Sequence, residues 1–207
     1  MAAMFILYAV VAGLIVGLLS RGSPARLGDL LFEWVPLIAL GMAAQVALFS
    51  TPVGDALGPA APIVYVASNV AVLAAVARNL AIPGFALVLA GGASNLIAIC
   101  ANGGYMPASP DAVAALGLAL PPGYTNSRLI DGVGDHAVLW PLTDLFAMPA
   151  WLPAANIFSV GDLLIGICAA VAVVAAMHGR GPLRPRQPAG ASRRPIASEH
   201  SRDSAAS

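Results

Sequence analysis

Apolar residues along the chain gather into five long blocks, at 3–20, 30–49, 61–77, 83–101 and 157–177. A helix needs about 20 mostly apolar residues to cross the hydrocarbon of a bilayer, whereas a soluble core helix shows a run of about 10 to 14. The blocks match the first case, with 61–77 the shortest. At 1.5 Å per residue the last one spans roughly 30 Å, the thickness of the hydrocarbon layer. The pattern predicts an all-α, polytopic membrane protein with five transmembrane helices.

The long connection at 102–156 has its own pattern. Asn-Gly-Gly-Tyr-Met-Pro (102–107) opens it with a glycine turn. Ser109 then stands as an N-cap and Pro110 at a first helical position, which predicts a short helix over 110–118. Further on, Trp140 and Trp151 alternate with Pro141, Pro149 and Pro153. Tryptophan favours the boundary between lipid and water, and the prolines forbid a continuous helix. Structureless loops of this length are uncommon. The stretch reads as a folded cap resting on the outer leaflet.

Composition strengthens the membrane reading. Of 207 residues, 59% are hydrophobic and 10% charged, and the mean hydropathy is +0.84. A soluble domain carries about 25% charged residues, so a water-soluble globule is excluded. The formal net charge is zero and there is no lysine. Arg21 and Arg26 follow the first block and Arg78 the third. Arg180, Arg184, Arg186, Arg193, Arg194 and Arg202 follow the fifth, while the long loop holds only Arg128. With five crossings all the arginine clusters share one side, and the positive-inside rule makes that side cytoplasmic. The N-terminus is then outside and the protein sits in a bacterial cytoplasmic membrane.

The first block has arginines after its apolar core and not before it, so it reads as a retained anchor and not as a cleaved signal peptide. Gly13 and Gly17 have the small-xxx-small spacing that lets helices approach closely. Residues 1–178 form the transmembrane domain. The tail at 179–207, rich in Pro, Arg, Ser and Ala, is predicted to be disordered. Cys100 and Cys168 each fall inside an apolar block at different depths, which predicts two free, buried thiols.

Candidate chemistry centres on Asp162, the one charged residue of the fifth block, read as standing about 8 Å inside its outer end. An ionisable group at membrane depth costs at least ~2.5 kcal/mol and usually faces the bundle interior or a water-filled cavity. A helix N-terminus also favours a carboxylate through its macrodipole. Gln45, Asn69 and Asn95 are its potential partners inside the blocks, with Asn95 at a comparable depth. Asn102, Asp144, Asn156, Trp140 and Trp151 lie toward the outer surface. Binding residues are therefore expected at Asn95, Asn102, Asn156, Asp162, Trp140 and Trp151. Asp144 with Asp162 would form the catalytic pair if the protein hydrolysed peptide bonds. Asp131, Asp135 and His136 form a loop better read as a solvated turn than as a metal site. No metal and no cofactor is expected.

Asn102–Pro110 (NGGYMPASP), with LTDLFAMP at 142–149 and NIFSVGDLLIGI at 156–167, resembles a family of bacterial integral membrane proteins known only as a domain of unknown function. That resemblance covers most of the chain apart from the tail, and implies fold and location. Blocks two to five also resemble the four-helix lipoprotein signal peptidase, an intramembrane aspartic protease. GGASNLIAI at 91–99, LTDLF at 142–146 and NIFSVGD at 156–162 carry this likeness. It places Asp162 on one catalytic aspartate and Ala98 on the other. Alanine neither polarises water nor holds a proton, so the favoured expectation is a non-catalytic membrane protein. It would bind a lipid, a lipidated peptide or a partner helix at the outer face. Intramembrane peptidase activity is the alternative and small proton-coupled transport the third. Expected partners are membrane lipids, a lipidated peptide or another membrane protein, and not nucleic acid.

Overall fold

The computed structural model describes residues 3–118, 127–129 and 137–182. Asp131, Asp135 and His136, and the predicted disorder of the tail beyond 182, lie outside these residues. The helices are α1 (Ala3–Leu19), α2 (Val35–Ser50), α3 (Val53–Leu57), α4 (Ala61–Arg78), α5 (Phe85–Ala101), α6 (Pro110–Ala115) and α7 (Val160–Met177). Each of the five apolar blocks holds one of the long helices. Pro36, at the second position of α2, suits a helix start because its missing N–H lacks a partner there anyway. Residues 24–29 ahead of it make a 3-10 turn, and residues 30–34, the first of the second block, are not helical.

By length and apolarity, two helical stretches are able to cross a membrane, Val53–Arg78 and Val160–Met177. The first is longer than expected, because α3 and a short 3-10 turn run directly into α4. Helices α1, α2 and α5 are apolar but only 16 or 17 residues long.

The all-α expectation needs correcting in the cap, where four short strands pair the chain. Strand β1 (Met106–Ala108) runs parallel to β2 (Ser127–Leu129), and β3 (Phe146–Ala147) runs antiparallel to β4 (Ile157–Phe158). Strand β4 occupies the start of the fifth block, so α7 begins at Val160 and not at Ile157. Helix α6 follows Ser109 and Pro110 as predicted but ends at Ala115, and Ser109 makes no side-chain cap.

Side by side, the long helices pack in the order α1–α7–α5–α4–α2, and the two ends of that row make no extensive contact with each other. Small residues set the closest approaches. A Cβ on Gly13 would stand 2.8 Å from the Ala170 backbone, and one on Gly91 would stand 2.5 Å from the Gly161 carbonyl. Gly13 and Gly17 thus pack α1 against α7, where Gly17 faces the Met177 side chain. The fully buried positions include Ala61, Ala75, Ala98 and Ala176, while Leu7, Ile15, Leu40, Ile63, Leu87 and Ile167 point outward. Larger side chains, Leu48, Ile82, Ile157 and Met177, are fully buried as well, so the unusual feature is the number of large apolar groups that face outward.

At the arginine-bearing end, Arg78 pairs with Glu33 at 2.6 Å. Asn79 accepts from the Glu33 N–H at 2.8 Å, and its Nδ2 donates to the carbonyls of Glu33 and Ala75. At the other end the cap is anchored by Tyr8, whose hydroxyl donates to the Pro153 carbonyl, and by a stack of Phe5 on Phe158.

Candidate functional site

Asp162 occupies the third position of α7, in its first turn, so it lies shallower than the block boundary implied. Ser159 is the N-cap. Its hydroxyl accepts from the Asp162 N–H at 3.0 Å, while the Asp162 carboxylate accepts from the Ser159 N–H at 2.9 Å. This reciprocal capping box satisfies two of the backbone donors that every helix start leaves without partners. Both side chains are buried, Ser159 at 0% and Asp162 at 5% exposure.

Helix α5 completes the arrangement. Asn95 Nδ2 donates to Asp162 Oδ1 at 2.8 Å, and Ser159 Oγ lies 2.8 Å from both Asn95 Oδ1 and Asp162 Oδ2. Asn95 thus closes a three-residue ring of hydrogen bonds across the α5–α7 seam. The seam is narrow here because Gly91 and Gly161 face each other one turn away.

The Asp162–Asn95 edge of this ring lines a cavity of about 350 Å³. Five long helices contribute to its wall, from Ile6 on α1 and Gln45 on α2 to Asn69 on α4, Asn95 on α5 and Asp162 on α7. Met106 and Asp144 roof it from the cap. Asp144 is held there by backbone pairing, since its N–H donates to the Pro107 carbonyl and its carbonyl accepts from the Ser109 N–H. Toward the arginine-bearing end the lining turns apolar, with Val72, Val76 and Val88. The polar groups of the wall cluster in the cap-side half. Asn69 Nδ2 is used by its own helix, bonding the Tyr65 carbonyl, whereas the Gln45 side chain bonds no described residue. The lining includes two carboxylates and no basic residue.

Residues 29–174 match the model of a family of unknown function, DUF5317. The chain belongs to this family. No curated protein and no solved structure matches it. The DUF5317 region contains Gln45, Asn69, Asn95, Asp144 and Asp162, so every polar side chain named in the cavity wall falls inside it.

Of the residues singled out in this DUF5317 chain, the cavity brings together Gln45, Asn69, Asn95, Asp144 and Asp162, and leaves Asn102, Asn156, Trp140 and Trp151 outside its wall. Asn102 caps the end of α5 and clamps the cap by exchanging two hydrogen bonds with Val138, both of its amide atoms being used. Asn156 is buried at 7% exposure, and neither atom of its amide bonds a described residue. Trp140 and Trp151 are exposed on the cap surface, Trp151 at 80%. Both cysteines are free thiols as expected; Cys168 is buried, whereas Cys100 is exposed on α5. Among the described residues no cluster of three or more metal-ligating side chains occurs. Ser159 escaped attention in the sequence, although Ser-Val-Gly-Asp ahead of an apolar run carries the capping-box spacing.

Proposed function

We propose that the protein is an integral membrane protein with five crossings, its cap outside and its arginine-bearing end in the cytoplasm, and that the cavity binds one chain of a membrane lipid or lipidated peptide. The observation that carries this reading is the polarity gradient along the cavity. Amides and carboxylates surround its cap-side half and valines its other half, as an amphiphile inserted from the outer leaflet requires. Outward-facing large apolar residues on all five long helices support the crossings. Three of those helices are short for the average bilayer, which flanking residues and local thinning accommodate at modest cost.

Dimensions choose among the expected partners. From Tyr65 to Val76 the wall extends roughly 16 Å along α4. Dividing the volume by that length gives a mean cross-section of roughly 20 Å². A helix is about 10 Å across with its side chains, so these dimensions favour one hydrocarbon chain over a partner helix. The absence of basic residues from the lining disfavours an anionic head group and favours one that donates hydrogen bonds. Access is supported by the packing order, because α1 and α2 both contribute to the wall without extensive contact between them.

The test is native mass spectrometry of the purified protein with identification of the retained lipid. Val88→Phe fills the apolar half and Gln45→Leu removes an amide from the polar half. Both are expected to lose the bound amphiphile while the fold is retained by circular dichroism. Undiminished retention in both folded variants would overturn the reading. Peptide-bond hydrolysis is a second reading, supported by the presence of Asp144 and Asp162 in one wall. Cleavage of a lipidated peptide that stops in Asp144→Asn and Asp162→Asn would establish it.

A further inference from the structure

A second, larger concavity lies on the outside of the bundle, on the opposite chemistry. It has a volume of about 760 Å³ and follows the α1–α7 seam from Phe5 past Ala12 and Val16 to Ser20. Fifteen residues of α1 give it a length of roughly 22 Å. Ile167 and Val171 form its α7 wall, and its long walls carry no charged side chain. At the arginine-bearing end it stops at His178 and Arg180.

That end is built and cationic. The two ring nitrogens of His178 lie 2.9 Å from the Val174 carbonyl and 3.0 Å from the Ser20 carbonyl, which ties the last turn of α7 to the end of α1. The Arg180 backbone is fixed by donation to the Ala175 carbonyl. Its guanidinium is exposed and bonds no described residue. The Arg26 guanidinium lies beside Gly179, with Nη1 2.7 Å from where a Cβ on that glycine would stand, and it too has no carboxylate partner among the described residues. Arg180 therefore closes one end of the apolar groove, with the Arg26 guanidinium beside the neighbouring Gly179.

We infer that this groove holds an acyl chain of an anionic phospholipid from the cytoplasmic leaflet, with the phosphate at Arg180 and Arg26. The inference rests on the membrane orientation proposed above and is independent of the inner cavity. A zwitterionic lipid gains the same apolar contact but carries no net charge for the two cations. The location differs from the inner cavity in sign as well as side: carboxylates surround one and guanidinium groups the other.

The test uses the full-length protein in nanodiscs of equal phosphatidylglycerol and phosphatidylcholine, released for native mass spectrometry. Wild type is expected to retain phosphatidylglycerol preferentially, and Arg180→Gln to lower that preference about fivefold. Ala12→Phe blocks the groove at an exposed position, away from the Gly13 contact, and is expected to abolish it. This second variant separates the groove from simple attraction to the arginines of the tail, which it leaves intact. Equal retention of both lipids by wild type, or a preference unchanged by either variant, would overturn the inference. Loss of the inner ligand in Val88→Phe is expected to leave this preference intact, so the two sites fail separately. A protein that does not incorporate into nanodiscs contradicts the membrane insertion on which the inference rests.

Discussion

Replacing Asp162 separates its hydrogen-bonding role from its charge. In Asp162→Ala the Ser159 N–H loses its acceptor inside a buried site. An unsatisfied buried donor costs about 1–3 kcal/mol. The interhelical bond from Asn95 disappears as well, worth on average about 0.6 kcal/mol between membrane helices. Loss of the carboxylate from the first turn removes about 0.3–1 kcal/mol of helix-dipole interaction. Together these place Asp162→Ala about 2–5 kcal/mol below wild type. Asp162→Asn behaves differently. Its amide oxygen still accepts from the Ser159 N–H, and its amide nitrogen donates to Asn95 once the Asn95 amide turns over. The turned Asn95 then donates to Ser159 Oγ, so the ring closes again with each donor matched. Only the dipole contribution is lost, and the expected cost is under about 1 kcal/mol. Equilibrium unfolding in mixed micelles measures the difference, with hydrogen exchange at the Ser159 amide as a local readout. Equal destabilisation by the two substitutions would refute this account and make the charge itself the stabilising feature.

Gly161→Ala is expected to destabilise by about 2 kcal/mol or more, because its Cβ would stand 2.6 Å from the Gly91 carbonyl and strike Asn95; the same unfolding measurement checks it. Asn79→Ala removes three hydrogen bonds at a buried position between α4 and the segment before α2. Its expected cost is about 1–3 kcal/mol, and limited proteolysis around Glu33 should accelerate before the bundle unfolds. In a background of Cys100→Ser and Cys168→Ser, Thr51→Cys should react with a membrane-impermeant maleimide on intact cells and Ser23→Cys only after lysis. The reverse pattern would invert the orientation on which both ligand sites depend.

The long helices were legible because apolar composition and length act over some twenty residues, and local exceptions average out. Their ends were not, since ends depend on single bonds. Ile157 and Phe158 continue the apolar block in sequence, yet they pair with Ala147 and Phe146 as a strand. Hydropathy does not register that pairing. The three-residue consequence is large for function, because it moves Asp162 from the helix interior to its capping turn. Asn95 and Asp162 were legible as a pair through matching depth. Asp144 was legible as an acid near the outer surface and as a conditional partner of Asp162, but not as the roof of a cavity, where a backbone bridge to Ala108 holds it. Such long-range pairings lie beyond local periodicity. The cavity itself arises from helix order, which five similar apolar blocks leave open.

The surroundings of Ala98 weigh on the choice between binding and hydrolysis. The likeness to an aspartic peptidase puts the second catalytic carboxylate at this position, but Ala98 is fully buried and belongs to an apolar cluster with Leu48, Tyr65, Ile99 and Met106. It is not part of the cavity wall. A carboxylate there would be buried beside Leu48, Ile99 and Met106, at a cost of several kcal/mol unless paired. A pair of acids working on one water therefore has to come from Asp162 and the cap, through Asp144. Asp162 enters such a pair with both oxygens already accepting hydrogen bonds from Asn95 and Ser159, and those bonds serve the helix start whether or not a substrate is present. Gln45, by contrast, bonds nothing described and faces the same space. On the proposed binding reading the polar half of the cavity holds the head group, and Asp162, fixed by Asn95 and Ser159, supplies a rigid part of the wall.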